Sequence, residues 1–148
     1  MSLKERLAAD LKTAMKEKNV VRKNVVQMVR AGVLQIEKDK LTTLDDDGVL
    51  DVIAKQLKQR RDSLPDYEKS GREDLIAELK AEMDVLMEYL PQQLTREELE
   101  VIVADAVKTT GASSMKDMGK VMGMLMPKVK GRADGKLVNT IVRSMLQG

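Results

Sequence analysis

The residues best suited to binding chemistry in this chain are lysines and glycines near its C-terminal end. Between positions 108 and 148, eight basic residues stand against only two acidic ones, Asp117 and Asp134. A surface with one sign of charge attracts polyanions before any specific contact forms. The charge therefore favours an anionic partner, although a basic surface that is merely solvated fits the same count.

The side chains that usually carry catalysis or bind transition metals are absent from the sequence. The chain has no Cys and no His, the residues that supply thiol nucleophiles, imidazole bases and most zinc, iron or copper ligands. The acidic run Asp45-Asp46-Asp47 lacks the alternating spacing of a calcium loop, so we interpret it as the start of a helix. We therefore predict no catalytic residue, no metal site and no cofactor. A true enzyme is the least favoured of three hypotheses, because no paired carboxylate or lysine constellation supports it.

The segment 115–130 separates apolar residues from glycines on a helical projection. At about 100° per residue, one broad apolar face forms, made of Met118, Val121, Met122, Leu125, Met126 and Val129. Gly119 and Gly123 fall on the opposite side, with Lys116, Lys120 and Pro127. Glycine inside a helix costs roughly 0.5–1 kcal/mol relative to Ala, and packing on the apolar face does not explain that cost.

Two interpretations of these glycines are open. In the first, they admit a neighbouring helix at close range; in the second, a bare backbone flanked by lysines lies against an extended anion such as RNA. Farther along, Gly131 suits a left-handed helix end and Asp134 suits the cap of the last helix. The candidate RNA-binding residues are Lys116, Lys120, Lys128, Lys130, Arg132 and Lys136, and Gly119, Gly123 and Gly131 are the candidates for close backbone approach.

The aromatic content restricts how a nucleic acid would be bound. The only aromatic residues are Tyr67 and Tyr89, and neither belongs to the basic segment. Stacking of bases on aromatic rings, as in single-strand binding, is therefore disfavoured. Contacts to the phosphates and sugars of a folded RNA fit the composition better.

Helix caps and hydrophobic periodicity predict seven helices. Ser or Thr followed three residues later by Glu forms a capping box, and Ser2…Glu5, Ser70…Glu73 and Thr95…Glu98 fit this pattern, with Ser114…Asp117 as a weaker variant. No segment shows the period-two alternation of a strand. The helices are expected near 2–17, 20–40, 45–64, 71–90, 95–109, 114–128 and 135–147.

Two of these helices carry apolar seams that allow them to pair. The seam of 71–90 has the spacing of three and four residues that is typical of coiled coils, and the helix 45–64 has a similar one. Arg61 lies on the second seam, either as an RNA contact or as a partner in an interhelical ion pair, which we favour. Pro65 should end or kink that helix. The two seams consist of Ile76, Leu79, Met83, Leu86 and Leu90, and of Leu50, Ile53, Leu57, Arg61 and Leu64.

The stretch 91–94 marks a domain boundary, because Pro91 is followed within four residues by a new helix cap at Thr95. We expect an all-α fold, in which a long N-terminal helical hairpin or bundle, residues 1–91, precedes a small three-helix C-terminal domain, residues 92–148. The absence of Cys fits a reducing compartment. Because no apolar stretch approaches the roughly 20 residues of a membrane span and the N-terminus is charged early, we expect a soluble, cytoplasmic protein without a membrane partner.

Several stretches resemble the GatB/YqeY family. They are Tyr89–Leu99, with the sequence YLPQQLTREEL, the glycine-rich segment Gly111–Lys136, and the shorter stretches Leu57–Ser63 and Ser2–Leu7. The likeness is to free-standing YqeY-like proteins and, in residues 92–148, to the C-terminal tail domain of GatB, the tRNA-handling component of the aspartyl/glutamyl-tRNA amidotransferase. It covers essentially the whole chain and is most specific in the glycine-rich segment.

The resemblance implies a tRNA-binding or tRNA-associated accessory module without a catalytic site of its own. A label of carbon–nitrogen ligase with glutamine as amido donor is inherited from the larger relative, whose catalytic domain this chain is too short to contain. The expected partner is tRNA or another folded RNA, or a protein acting in translation. The alternative function is a protein-interaction module that docks a partner through the helical hairpin or through the glycine-bearing helix face.

Overall fold

The computed structural model describes residues 1–147. Over this range it contains α-helices and one 3₁₀ turn but no strand, so the predicted all-α fold is confirmed. No helix within the same range is long and apolar enough to cross a membrane. The helices are α1 (Leu3–Lys16), α2 (Val20–Lys40), α3 (Asp46–Ser70), α4 (Glu73–Tyr89), α5 (Arg96–Thr110), α6 (Met118–Val129) and α7 (Gly135–Gln147), and the 3₁₀ turn is Met115–Asp117.

The chain divides into two compact units, the first ending at Leu90 and the second starting at Pro91. In the first unit α3 packs against α4 and α1 against α2, while α2 also contacts α3 and α4. Branched aliphatic side chains on these helices close the core, because each helix turns one apolar stripe inward. Its fully buried members include Leu7, Val25, Val26, Val29, Val49, Ile53, Leu57 and Leu86.

Gly32 lets α2 approach α3 closely. A methyl group placed on Gly32 would lie 3.0 Å from Cγ1 of Val52 and 3.1 Å from Nε2 of Gln56. The same amide nitrogen of Gln56 donates a hydrogen bond of 3.0 Å to the backbone carbonyl of Met28. The missing side chain of Gly32 therefore makes room for a polar link between the two helices.

Most predicted helix starts agree with the structure, but the start of α4 does not. Ser2 forms a complete capping box with Glu5, Thr95 accepts a hydrogen bond from the N–H of Glu98, and α3 starts after its cap Asp45. Ser70, however, does not begin α4. It is the last residue of α3, which Gly71 ends in the left-handed conformation at φ +71°.

Pro65 does not end α3, which continues for five residues beyond it to Ser70. A proline withholds one backbone donor from a helix. Pro65 lies on the exposed side of α3, where water can hydrate the neighbouring backbone. The expectation of a helix end at residue 64 is therefore wrong.

Arg60, the neighbour of the predicted Arg61, forms an ion pair between α3 and α4. Arg60 is 8% exposed, and its Nη2 lies 3.7 Å from Oε1 of Glu82 on α4. Its Nη1 donates to the carbonyl of Gln56 at 3.1 Å, and Nη2 donates to Sδ of Met28 at 3.5 Å. The arginine buried in this seam is thus one residue earlier than predicted, and Arg61 is only half-buried.

Tyr89 links the end of α4 to α1. Its hydroxyl donates a hydrogen bond to Asp10, and the guanidinium of Arg6 lies 4.6 Å from the centre of its ring. Burial, followed by the hydrogen bond to Asp10, raises the pKa of Tyr89 to about 12. Nearby, Arg22 on α2 forms a 2.6 Å ion pair with Glu88, so charged contacts surround the buried phenol.

The second unit is a three-helix arrangement in which α5, α6 and α7 each pack against the other two. The core is again aliphatic, because each helix contributes an apolar stripe. This core fixes the orientation of α6 and thereby decides which α6 residues face solvent. Its buried members are Leu99, Val103, Ala106, Val121, Leu125, Val129, Val138, Ile141, Val142 and Leu146.

Candidate docking surface

The outward side of α6 is an exposed strip of lysines and glycines. We call this strip the glycine face. It lies on the side of α6 opposite the buried side chains of Val121, Leu125 and Val129, which follow one another by about one helical turn. Its exposed members are Lys116, Gly119, Lys120, Gly123, Met126 and Pro127.

Both glycines of the glycine face are open to space. A methyl group placed on Gly119 or on Gly123 would meet no other atom within 4 Å. Neither glycine therefore admits a neighbouring helix of the second unit, and the interpretation based on close packing is wrong within that unit. Each glycine still costs roughly 0.5–1 kcal/mol of helix stability relative to Ala, without any internal contact in return.

Pro127 changes the hydrogen bonding of the glycine face. It lies inside α6, four residues after Gly123, and proline has no N–H to donate to the carbonyl of residue i−4. The carbonyl of Gly123 thus lacks its usual helical donor, and the ring of Pro127 crowds it from the C-terminal side. The glycine face therefore contains one backbone acceptor without its usual helical hydrogen bond, in addition to its lysine donors.

The inner side of α6 differs slightly from the predicted apolar face. Val121, Leu125 and Val129 are buried, as expected. Met126 is 41% exposed, so its assignment to the apolar face is wrong, and Met124 packs on the core instead. Exposed methionine is flexible and polarizable, which suits an adaptable contact surface.

The start of α6 is built from a 3₁₀ turn rather than from the predicted capping box. Ser114 precedes this turn but makes no side-chain cap. Instead, the carboxylate of Asp117 accepts a hydrogen bond of 3.0 Å from the N–H of Ser113. This bond, followed by one from the N–H of Ser114 and by the charge of Lys120, lowers the pKa of Asp117. A carboxylate therefore stays ionised beside the lysines at this end of the glycine face.

The predicted basic residues occupy three kinds of position. Lys116 and Lys120 are exposed on the glycine face, and Lys128 is exposed at its flank. Lys130 and Lys136 are exposed in and after the loop that joins α6 to α7, and both interact with other residues. α6 itself contains no Asp or Glu, so its own charges, at Lys120 and Lys128, are both positive, and the ionised Asp117 lies just before it.

Arg132 has a structural contact that the sequence did not reveal. It is half-buried, and its Nε donates to the carbonyl of Gln92 at 3.2 Å. Its own carbonyl accepts from the N–H of Leu94 at 2.8 Å, and the carbonyl of Gly131 accepts from the amide of Gln93 at 2.8 Å. Arg132 and Gly131 thus attach residues 92–94 to the loop between α6 and α7.

The loop before α7 folds as its residues predict. Gly131 adopts the left-handed conformation at φ +74°. The carboxylate of Asp134 accepts from the N–H of Lys136 at 3.1 Å, which caps α7. Of the six predicted basic residues, three belong to α6 and the turn before it, while the other three lie in or beside a loop whose backbone is bonded to residues 92–94.

Over residues 1–147, the acidic side chains do not gather into any group of three or more that could hold a metal ion. What the second unit does offer is an exposed helix face with positive charges, two bare backbone positions and one carbonyl acceptor. Such a face can bind a molecule that carries negative charge and approaches the backbone closely.

The sequence matches the family model described as Yqey-like protein over residues 4–146. The chain therefore belongs to the YqeY-like family. The same match does not by itself relate the chain to GatB.

Named relatives are fungal proteins called altered inheritance of mitochondria protein 41, mitochondrial. The protein of that name from Pyrenophora tritici-repentis is 30% identical over 144 residues, which cover 95% of this chain and 79% of the relative. The one from Saccharomyces cerevisiae strain YJM789 is 28% identical over 123 residues, covering 79% and 66%. The one from Vanderwaltozyma polyspora is 30% identical over 120 residues, covering 76% and 64%. The chain thus spans about two thirds of the length of the two yeast relatives.

These relatives correct the functional expectation. Their names refer to the inheritance of mitochondria and to no tRNA-related function, so the predicted role as a tRNA-associated accessory module is wrong. The expected family label of carbon–nitrogen ligase, taken from the amidotransferase, is not supported by these relatives either. The relatives are also named as mitochondrial proteins, which the expectation of a cytoplasmic protein did not anticipate.

Proposed function

We propose that this protein is a protein-interaction module and that the glycine face of α6 docks an acidic helix of a partner protein. The observation that carries the proposal is the open space over Gly119 and Gly123. At these two helix-weakening residues, one turn apart, no part of the second unit lies within 4 Å of the place that a side chain would occupy. A partner that packs there would offset their cost.

The chemistry of the glycine face favours a helix with carboxylates. Lys116, in the 3₁₀ turn, and Lys120, in the first turn of α6, are both exposed. Acidic side chains spaced by one turn on the partner would match them, since complementary charges fix register and speed association. Small residues at a helix crossing let two backbones approach closely, and the carbonyl of Gly123 can accept a hydrogen bond from the partner.

Exposed apolar groups extend the same surface. Met126 is 41% exposed and Pro127 is exposed, so the partner would bury apolar area beside the charged contacts. Methionine is enriched at the cores of protein interfaces. This mixture fits a folded protein helix better than a phosphate backbone.

The names of the relatives supply the biological setting of the proposal. The relatives are named as mitochondrial proteins, which supports a mitochondrial location for this chain. The absence of Cys fits a reducing compartment. We also propose that residues 92–148 share the fold of the tail domain of GatB; this proposal concerns the fold and not the function. Fractionation of native cells with an antibody to this chain would test the compartment.

Site-specific photo-crosslinking in native cells tests the docking function. The crosslinking residue p-benzoylphenylalanine would replace Met126, which is on the glycine face. The matched control carries it at Val101, which is 70% exposed on α5 of the same unit. We expect a protein adduct from position 126 that survives nuclease digestion, and a far weaker one from position 101.

Charge changes sharpen the same experiment. Each of Lys116→Gln and Lys120→Gln should lower the adduct yield roughly 2- to 5-fold, the effect of one exposed ion pair. Higher ionic strength should lower it further. The absence of a protein adduct at position 126, or an adduct that nuclease removes, would refute the proposed function.

A further inference from the structure

In the first unit, Met28 on α2 is a half-exposed methionine whose sulfur contacts a buried charge. The side chain is 50% exposed, so dissolved oxidants can reach it. Its Sδ accepts a hydrogen bond of 3.5 Å from Nη2 of Arg60. Arg60 is 8% exposed, so the sulfur lies between solvent and a guanidinium group that is almost completely buried.

The guanidinium of Arg60, which contacts this sulfur, has one N–H donor that makes no hydrogen bond. Its Nε is buried and has no hydrogen-bond partner among residues 1–147. In a planar guanidinium, Nε–H and one N–H of Nη2 point from the same edge, which is the edge that forms paired bonds with oxygen acceptors. Nη2 donates to the sulfur of Met28, so the guanidinium nitrogen that contacts Met28 belongs to the same pair as the unpartnered Nε.

The other polar contacts of Arg60 are made by Nη1 and Nη2 and leave Nε without a hydrogen bond. Nη1 donates to the carbonyl of Gln56 at 3.1 Å, and Oε1 of Glu82 lies 3.7 Å from Nη2. Gln56 directs its amide nitrogen to the carbonyl of Met28, and its own Oε1 is buried without a partner among the described residues. The polar contacts between α2 and α3 are thus incomplete on the side of Met28.

We infer that Met28 is a site of reversible oxidation by peroxide and that Arg60 binds the resulting sulfoxide. The sulfur attacks one oxygen of hydrogen peroxide, the S–O bond forms and the O–O bond breaks. Sulfur is oxidised by two electrons, and the second oxygen leaves as water. The new oxygen is a much stronger acceptor than a thioether, and one epimer directs it to the Nε–Nη2 edge of Arg60.

The expected effect is opposite to the usual one. Methionine oxidation normally introduces a polar group that disrupts packing. Here it supplies an acceptor to a buried cation, and charge-assisted hydrogen bonds of this kind are among the stronger ones. Oxidation of Met28 therefore strengthens the contact between α2 and α3. Reductases that act on sulfoxides reverse the change, and each acts on one epimer.

Limited oxidation of the full chain with hydrogen peroxide tests the inference. Peptide mass spectrometry would follow the sulfoxide at each methionine, and hydrogen exchange would report local stability. We expect amides of α3 around Arg60 to exchange about 10-fold more slowly once Met28 is oxidised, the effect of one charge-assisted bond. The matched control is Met126, which has a similar exposure of 41% but faces no buried cation; its oxidation should leave exchange in α3 unchanged.

Two further measurements separate this binding from a general effect of oxidation. Arg60→Lys keeps the charge but lacks the paired donor edge, so Met28 oxidation should no longer slow exchange. In the unsubstituted chain, the sulfoxide epimer bound by Arg60 should be reduced more slowly than the other epimer. Faster exchange in α3 after Met28 oxidation would overturn the inference. So would the absence of Met28 oxidation at peroxide levels that oxidise Met126.

Discussion

The two units use glycine within a helix in opposite ways. Gly32 in the first unit lies under the crossing of α2 and α3, where an added methyl group would lie 3.0 Å from Val52. Gly123 in the second unit lies on α6, where the same methyl group would contact nothing within 4 Å. Both glycines lower the stability of their helix through lost backbone entropy. Only at Gly32 does the close packing of a neighbouring helix in the same unit offset this loss.

The comparison distinguishes a glycine that contacts inside the chain explain from glycines that such contacts do not explain. In the first unit the close approach at Gly32 lets Gln56 reach the carbonyl of Met28, so the glycine is explained by internal contacts. In the second unit the glycines lie beside lysines on an uncovered face. Contacts inside the chain explain Gly32, whereas Gly119 and Gly123 lie inside a helix and face open space, which is the feature that the proposed docking would explain.

The largest expected effect is on the first unit. Gly32→Leu forces a side chain into the crossing of α2 and α3, and overpacking of this kind costs about 1–3 kcal/mol. Urea denaturation, with hydrogen exchange to assign the loss to the first unit, measures the change. Gly123→Leu is the matched control and should cost nothing in the isolated protein. Equal losses for both variants would contradict the contrast between the two glycines.

Tyr89→Phe should lower the free energy of unfolding by about 1 kcal/mol, because it removes the buried hydrogen bond to Asp10. It should also change the response to pH. Folding raises the pKa of Tyr89 to about 12, whereas an unfolded tyrosine titrates near 10. The unfolded chain therefore loses the proton first, and stability falls as the pH rises from about 10 to about 12.

Stability measured against pH checks this prediction. The unsubstituted chain should lose stability in the alkaline range, and Tyr89→Phe should lose less. Tyr67, 39% exposed on α3, provides the control, since Tyr67→Phe should keep the alkaline loss. If Tyr89→Phe showed the same alkaline slope as the unsubstituted chain, the buried phenol would not be its source.

Gly123→Ala should stabilise the isolated second unit by roughly 0.5–1 kcal/mol, because alanine favours a helix and meets no neighbour. The same change should weaken crosslinking of the partner at position 126, since the methyl group keeps two backbones apart. Thermal denaturation and adduct yield measure the two effects. Gly135→Ala, also in open space but at the start of α7, should leave the adduct unchanged.

The smallest expected effect concerns Asp117. Its pKa is lowered in the folded protein, chiefly by the hydrogen bond from the N–H of Ser113. This contribution is present above the ordinary pKa of aspartate, near 4, and is lost as the pH falls through the lowered value. Asp117→Asn should remove that acid dependence with only a slight loss of stability near neutral pH. If the stability of the variant fell with acid pH as it does in the unsubstituted chain, other carboxylates would be the cause of that fall.

The sequence predicted the helices well wherever local chemistry decides them. Ser2 and Thr95 begin helices because their side chains satisfy backbone donors three residues away. Ser70 fits the same pattern, but Gly71 follows it and ends α3 in the left-handed conformation. Pro65 was expected to end that helix, but it lies on the exposed side of α3, which continues to Ser70. Local patterns therefore fail where a competing signal or the surroundings of a residue decide the outcome.

Part of the geometry of the glycine face could be predicted from the sequence, whereas its binding role stays a prediction. The separation of Gly119 and Gly123 from the core follows from helical periodicity and is seen in the structure. Whether another helix of the chain covers them depends on tertiary packing, which periodicity does not contain. For the same reason Arg132 was grouped with the exposed lysines, although it bonds to the carbonyl of Gln92. Arg60 was missed because the predicted seam continued from the buried Leu57 by four residues to Arg61, whereas burial continues by three residues to Arg60.

The bonds between residues 92–94 and the loop of Gly131 and Arg132 have a practical consequence for dissecting the protein. A fragment that starts at the helix cap Thr95 would lack the N–H of Leu94 and the amide of Gln93, which bond to two carbonyls of that loop. It would also leave Nε of Arg132 without the carbonyl of Gln92. An autonomous second unit therefore has to begin at or before Pro91, several residues ahead of its first helix.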